Sequence, residues 1–149
     1  MEKEIDSQLY NADEALKLKN QLCFPLYAAS RRIVNAYQPF LSPLGLTYTQ
    51  YLVFLVLWEE DGLGVSEICE RLKLDNGTIT PLLKKLESEG YLKRSRSECD
   101  ERKVVVTLTD RGRALRNEAK EIPRKVGSCF SLSPEDAAAL YMLLYKVLG

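Results

Sequence analysis

The chain has 149 residues, 46% hydrophobic and 28% charged, with 21 Lys/Arg balancing 21 Asp/Glu. That length and balance suit one globular domain with a real core and argue against a disordered chain. Histidine is absent, and the four cysteines at 23, 69, 99 and 129 never form Cys-x-x-Cys, so His-dependent triads, zinc sites and a static disulfide framework are not expected. The opening Met1-Glu2-Lys3-Glu4-Ile5-Asp6 is not a secretory signal. The longest apolar run, Tyr51 to Trp58, is too short to span a bilayer. A cytoplasmic protein with no membrane partner, metal or cofactor is expected.

Residues 1 to about 12 read as a polar arm. From Leu16 to about Leu41 the apolar positions Leu22, Leu26, Ile33, Tyr37 and Phe40 recur at helical spacing, which predicts a long helix bent near Pro25. Ser42-Pro43-Leu44-Gly45 is a turn, and Thr47-Tyr48-Thr49-Gln50 fits a capping box. The helix predicted over Gln50–Glu60 is apolar on nearly every side, so it should lie at the centre of the core. Asp61-Gly62-Leu63-Gly64 breaks it.

A compact unit follows. Val65–Leu72 predicts a short helix with Ile68, Cys69 and Leu72 inward, and Leu74-Asp75-Asn76-Gly77 a turn. Thr78–Ser88 predicts a second helix with Ile79, Leu82, Leu83 and Leu86 inward, Pro81 near its start and Gly90 as its stop. Tyr91–Arg96 and Lys103–Leu108 read as two strands around a polar tip. Helix, turn, helix, hairpin is the order of a winged helix-turn-helix. Thr109-Asp110 should cap a helix running to about Val126, and Ser133-Pro134-Glu135-Asp136 should start another. The fold class is therefore mainly α with a small β wing. It is a single domain over 1–149, with dimerisation helices at about 13–48 and 109–149 around a DNA-binding region at about 49–108. A two-fold dimer would present two reading helices to successive major-groove faces.

Charge agrees with this division. Residues 1–20 carry five acids and three bases, whereas residues 78–116 carry ten Lys/Arg against six Asp/Glu. The positive charge lies where the DNA-binding elements are predicted.

Cys23 stands in Asn20-Gln21-Leu22-Cys23-Phe24-Pro25-Leu26-Tyr27, with further phenols at Tyr37, Tyr48 and Tyr51. Phenol hydroxyls that donate to sulfur favour the thiolate. The plain alternative is a small buried hydrophobe, as most free cysteines are. Cys69 reads as core packing, and Cys99 as an exposed thiol at the wing tip.

These segments resemble the MarR family and, within it, the organic-hydroperoxide-sensing OhrR type. The general pattern is carried by Asp100-Glu101-Arg102 and Leu108-Thr109-Asp110-Arg111-Gly112. The sensor subgroup is carried by Asn20–Phe24, Leu46–Leu52, Leu57-Trp58-Glu59 and Leu74–Lys85. The resemblance covers the chain from roughly Asn20 onward. It implies that Cys23 is the peroxide-reactive thiol, that Tyr37 and Tyr48 hydrogen-bond it across a homodimer, and that Tyr27 lies close by. It also implies that Cys129 forms a disulfide with the Cys23 of the other subunit; the alternative is capping by a small cellular thiol. Thr78, Thr80 and Lys84 become the major-groove contacts on double-stranded operator DNA, and Arg102 the minor-groove arginine oriented by Asp100.

The expected function is a redox-gated repressor, not an enzyme, with organic hydroperoxide as its signal. The competing readings are a MarR regulator gated by a reversible aromatic ligand, with Cys23 as packing, and a thiol peroxidase.

Overall fold

The computed structural model describes residues 11–149; the polar arm read over residues 1 to about 12 lies almost wholly outside them. Contacts divide the chain into two compact units, one ending at Ala36 and the other running from Tyr37 to Gly149.

The first unit holds α1 (Ala12–Ala15), a 3-10 turn at Leu18–Asn20 and the start of α2 (Cys23–Leu41). The Asn11 side chain caps α1 by accepting from the Glu14 N–H at 3.1 Å, and the Asn20 amide donates to the Glu14 carbonyl at 2.7 Å. The long helix predicted from Leu16 therefore begins seven residues late, because these side chains divert the chain into turns first. Pro25 sits in the first turn of α2, where a missing N–H costs nothing, and is not an interior kink. Leu16 and Leu22 are 80% and 79% exposed, and Phe24, Leu26 and Tyr27 are also exposed.

The second unit is built around α3 (Tyr48–Glu59). Its capping box is complete: Gln50 N–H donates to Thr47 Oγ1 at 3.3 Å, and Thr47 N–H donates to Gln50 Oε1 at 2.9 Å. Tyr51, Val53, Phe54, Val56 and Leu57 are buried along this helix, as its all-round apolar composition requires. Around it lie β1 (Leu63–Gly64), α4 (Val65–Leu72), α5 (Asn76–Ser88), β2 (Leu92–Arg96), β3 (Val104–Leu108), α6 (Asp110–Ala119), α7 (Ile122–Gly127) and α8 (Pro134–Leu148). Ile68, Ile79, Leu83, Leu86, Leu92 and Val106 fill the core; Leu72 and Leu82, expected inward, are only half-buried.

The sheet is antiparallel in the order β1-β3-β2, with Leu92 opposite Leu108 and Arg96 opposite Val104. The stretch read only as a helix breaker also pairs: Leu63 and Gly64 lie opposite Val106 and Val105. α5 starts two residues before the predicted Thr78, because Asp75 caps it by accepting from the Thr78 N–H at 2.8 Å. Pro81 consequently lies inside the helix, in its second turn. The predicted Thr109–Val126 helix is two helices, broken at Lys120-Glu121 ahead of Pro123. Gly90, at φ +80°, ends α5 in the left-handed region that favours glycine.

The Leu108–Gly112 motif is a joint. Thr109 Oγ1 donates to the Gly90 carbonyl at 2.7 Å and accepts from the Gly112 N–H at 3.2 Å. Arg111 covers the Tyr91 ring at 4.2 Å and donates to its hydroxyl. A Cβ on Gly112 would meet the Tyr91 carbonyl oxygen at 2.2 Å. Gly112→Ala should therefore cost about 1–3 kcal/mol through overpacking against backbone. Chemical denaturation checks this; an unchanged midpoint would mean that α6 does not press on Tyr91.

No single helix among the described residues is long and apolar enough to cross a membrane. On α8, Leu140, Tyr141, Met142, Leu143, Tyr145, Val147 and Leu148 are all exposed.

Candidate nucleic-acid interface and sensing residues

α4 and α5 form the helix-turn-helix, and β2 and β3 the wing. On α5, Ile79, Leu83 and Leu86 are buried, which turns the opposite side to solvent. Thr78 and Lys84 are exposed and Thr80 is half-buried. Thr80 and Lys84, four residues apart, are neighbours along one edge of the open face, while Thr78 lies on the other edge. Lys85 and Pro81, both exposed, fill the space between; Lys85 was not singled out from the sequence.

The wing tip is a hydrogen-bonded loop. Ser97 N–H donates to the Lys103 carbonyl at 2.8 Å, and Lys103 N–H to the Asp100 carbonyl at 2.9 Å. Asp100 Oδ1 accepts from the Arg102 backbone N–H at 3.1 Å and from its Nε at 3.3 Å. The Arg102 side chain is 92% exposed. Its stem is thus fixed by Asp100 while the remaining guanidinium donors point away from the protein. Cys99 is exposed.

Three supporting side chains escaped the sequence reading. Glu87 on α5 takes the Arg94 backbone N–H at 2.8 Å and its Nε at 3.0 Å, joining the wing to α5. The Arg94 N–H holds the Glu87 carboxyl below the usual carboxylate range, opposed by burial and helped by the Arg94 guanidinium. Asp61 accepts from the Leu108 N–H at 2.8 Å and from Arg113 Nη2 at 3.1 Å, and Trp58 Nε1 donates to the Gly112 carbonyl at 3.0 Å. Asp61 and Trp58 meet partners some fifty positions along the chain and Glu87 meets Arg94 across a change of element, so no local pattern marks them.

Tyr37 and Tyr48 lie with ring centroids 4.9 Å apart, and the buried Tyr51 joins them at 5.6 and 6.4 Å. Burial raises the phenol pKa of each; Tyr51 is pushed up to about 12. All three stay protonated at neutral pH and remain hydrogen-bond donors. Tyr27, in the first unit, is 60% exposed with the Arg31 guanidinium 5.5 Å from its ring centre. Cys23 is exposed and is the first residue of α2. Cys129 is exposed beyond α7, its thiol 3.4 Å from the Lys125 carbonyl oxygen. Cys69 is buried, as expected, and all four cysteines are free thiols.

Residues 35–119 match the family model described as transcriptional regulator SarA/Rot. The chain is 45% identical over 138 residues to the organic hydroperoxide resistance transcriptional regulator of Bacillus subtilis, covering 93% of this chain and 94% of that one. The chain belongs to the MarR family of winged-helix transcriptional regulators, in its SarA/Rot branch.

Among solved members, reduced AbfR bound to DNA superposes with a TM-score of 0.76 at 37% identity, over 91% of this chain and 94% of that one. AbfR, from Staphylococcus epidermidis, has also been solved overoxidised on DNA and in a disulfide form, with TM-scores of 0.74 and 0.63. A more distant member, Bordetella bronchiseptica BpsR, whose DNA binding is regulated by 6-hydroxynicotinic acid, gives 0.81 at 26% identity over 88% of this chain and 95% of that one. Like these MarR relatives, the chain is a DNA-binding transcriptional regulator; that sets the thiol peroxidase reading aside.

Proposed function

We propose that this MarR regulator is a repressor gated by organic hydroperoxide. It binds operator DNA as a homodimer while Cys23 is reduced and releases it when Cys23 is oxidised. The observation that carries the reading is the 45% identity, across 93% of the chain, to a regulator named for organic hydroperoxide resistance. An exposed, free Cys23 at a helix start is compatible with it. In this reading the Cys23 sulfur attacks one peroxide oxygen, the O–O bond breaks, an alcohol leaves and a sulfenic acid forms. Tyr37 and Tyr48 donate hydrogen bonds to that sulfur across the dimer, with Tyr27 close by; their protonated state suits donors. Thr78, Thr80 and Lys84 contact the major groove and Arg102 the minor groove. The exposed apolar side chains on α2 and α8 supply the dimer interface, which makes the terminal helices a dimerisation layer around the winged region.

Cys23→Ser should still bind operator but ignore peroxide, because serine cannot form a sulfenic acid. Tyr37→Phe and Tyr48→Phe should slow oxidation without abolishing it. Intact mass after stoichiometric organic hydroperoxide, paired with DNA binding, provides the check. A Cys23→Ser variant that releases DNA as wild type does would remove Cys23 as the sensor. It would favour instead a reversible aromatic ligand of the kind BpsR uses, packed among the phenols.

The dimer has its own test. Sedimentation at micromolar concentration should show dimer only, since the apolar helix faces leave no well-buried monomer. A folded monomer there would overturn the proposed arrangement.

A further inference from the structure

Pro81 places an apolar ring at the centre of the open face of α5. It is exposed, and it lies inside the helix, in its second turn. At 3.6 residues per turn it stands roughly 140–160° round the axis from each of the buried Ile79, Leu83 and Leu86. Thr78 comes three residues before it, and Lys84 and Lys85 three and four after it, so exposed polar side chains surround the ring.

An interior proline has no N–H to donate to the carbonyl four residues back, here that of Gly77, and its ring crowds that carbonyl. Only the first turn of a helix accepts this without loss. A single exposed apolar side chain is ordinary. One that also forfeits a helical hydrogen bond is a local choice the fold does not reward, and such choices gather at functional sites. The ring carries no charge, donor or acceptor, so it can bond neither a phosphate nor a polar base edge. The apolar group that the major groove offers is the C5-methyl of thymine. We propose that Pro81 is a specificity-determining residue that packs against a thymine methyl, so that each operator half-site requires thymine opposite the middle of α5. The inference rests on α5 being the DNA-reading helix, as proposed above, and adds the base group read at its centre.

The half-site is first obtained by in vitro selection with the reduced wild type. Each thymine in it is then replaced by deoxyuridine, which lacks only the methyl, and binding is read by fluorescence anisotropy at fixed salt. Wild type should lose roughly fourfold per half-site at one thymine, the worth of one buried methyl group. Pro81→Ser should bind unmodified operator more weakly by about that factor and be indifferent to deoxyuridine at that position. Pro81→Val, apolar but with its backbone N–H restored, should keep the sensitivity. The inference falls if deoxyuridine costs wild type nothing at any thymine, or costs Pro81→Ser as much as wild type throughout. It falls equally if Pro81→Ser and Pro81→Val weaken binding alike on every sequence, since the proline then acts through helix shape alone. Lys84→Ala separates these failures from that of the reading beneath. Weaker binding by Lys84→Ala with no deoxyuridine effect overturns the methyl contact alone. If Lys84→Ala and Pro81→Ser both bind as wild type does, the DNA-reading role of α5 falls with it.

Discussion

Arg102→Ala should weaken operator binding by about 1–3 kcal/mol per wing while leaving fold and dimer intact. The side chain is 92% exposed and ion-paired with Asp100, so its removal leaves no cavity. What is lost is a guanidinium that contributes both charge and recognition of groove shape. The Asp100 carboxylate makes the case sharper. An anion at a wing tip that approaches phosphates is unfavourable in itself, yet this one accepts from both the backbone N–H and Nε of Arg102. Its use is to restrict the arginine to one orientation before DNA arrives, which reduces the ordering cost of binding. Asp100→Asn should therefore fall between wild type and Arg102→Ala. Cys99→Ser, three residues away and exposed, should change little. Fluorescence anisotropy at fixed salt reads all three. Equal losses from Arg102→Ala and Cys99→Ser would mean that the wing as a whole, and not this guanidinium, makes the contact.

What the sequence disclosed follows the range of the interactions. Caps are local, and the Thr47–Gln50 box, the Thr109 and Ser133 caps and the Gly90 stop all stand where the residues place them. The central helix was legible because an all-apolar surface has only one place to go. β1 was not, because two residues become a strand only through pairing with Val105 and Val106, some forty positions later. The start of α5 was misplaced because Asp75 was read as part of a turn; an aspartate ahead of a helix is a cap signal. Pro123 likewise announced the α6–α7 break. For the site, the candidate DNA contacts came from motif resemblance and the structure puts them on one solvent face and one wing tip. The Glu87–Arg94 tie and the Cys69–Asn76 hydrogen bond, each spanning seven residues across a change of element, have no motif. They follow from how α4, α5 and the wing fold against one another.

Release of DNA should depend on Cys129. To turn a nearly fully competent population into a nearly fully incompetent one, oxidation must favour the second state by about 5.5 kcal/mol. A sulfenic acid that exchanges a single hydrogen bond of the charged sulfur, worth about 1.5–3 kcal/mol, falls short. In the two-cysteine route the Cys129 thiolate attacks the Cys23 sulfenic sulfur of the other subunit, a disulfide forms and hydroxide leaves, becoming water on protonation. Such a bond tolerates Cα atoms only about 4.4–6.8 Å apart, so it can make the DNA-competent packing geometrically impossible. The exposure of both thiols leaves them accessible for this step. Cys129→Ser should accordingly form the sulfenic acid, seen as a single added oxygen by intact mass, but release operator poorly until a small thiol is supplied to cap Cys23. A non-reducing gel of oxidised wild type should show a cross-linked dimer that Cys129→Ser lacks. If wild type runs as a monomer on that gel and still releases DNA, the covalent link between subunits is absent and the small-thiol route carries the switch, its added bulk at Cys23 providing the steric change the disulfide would have made.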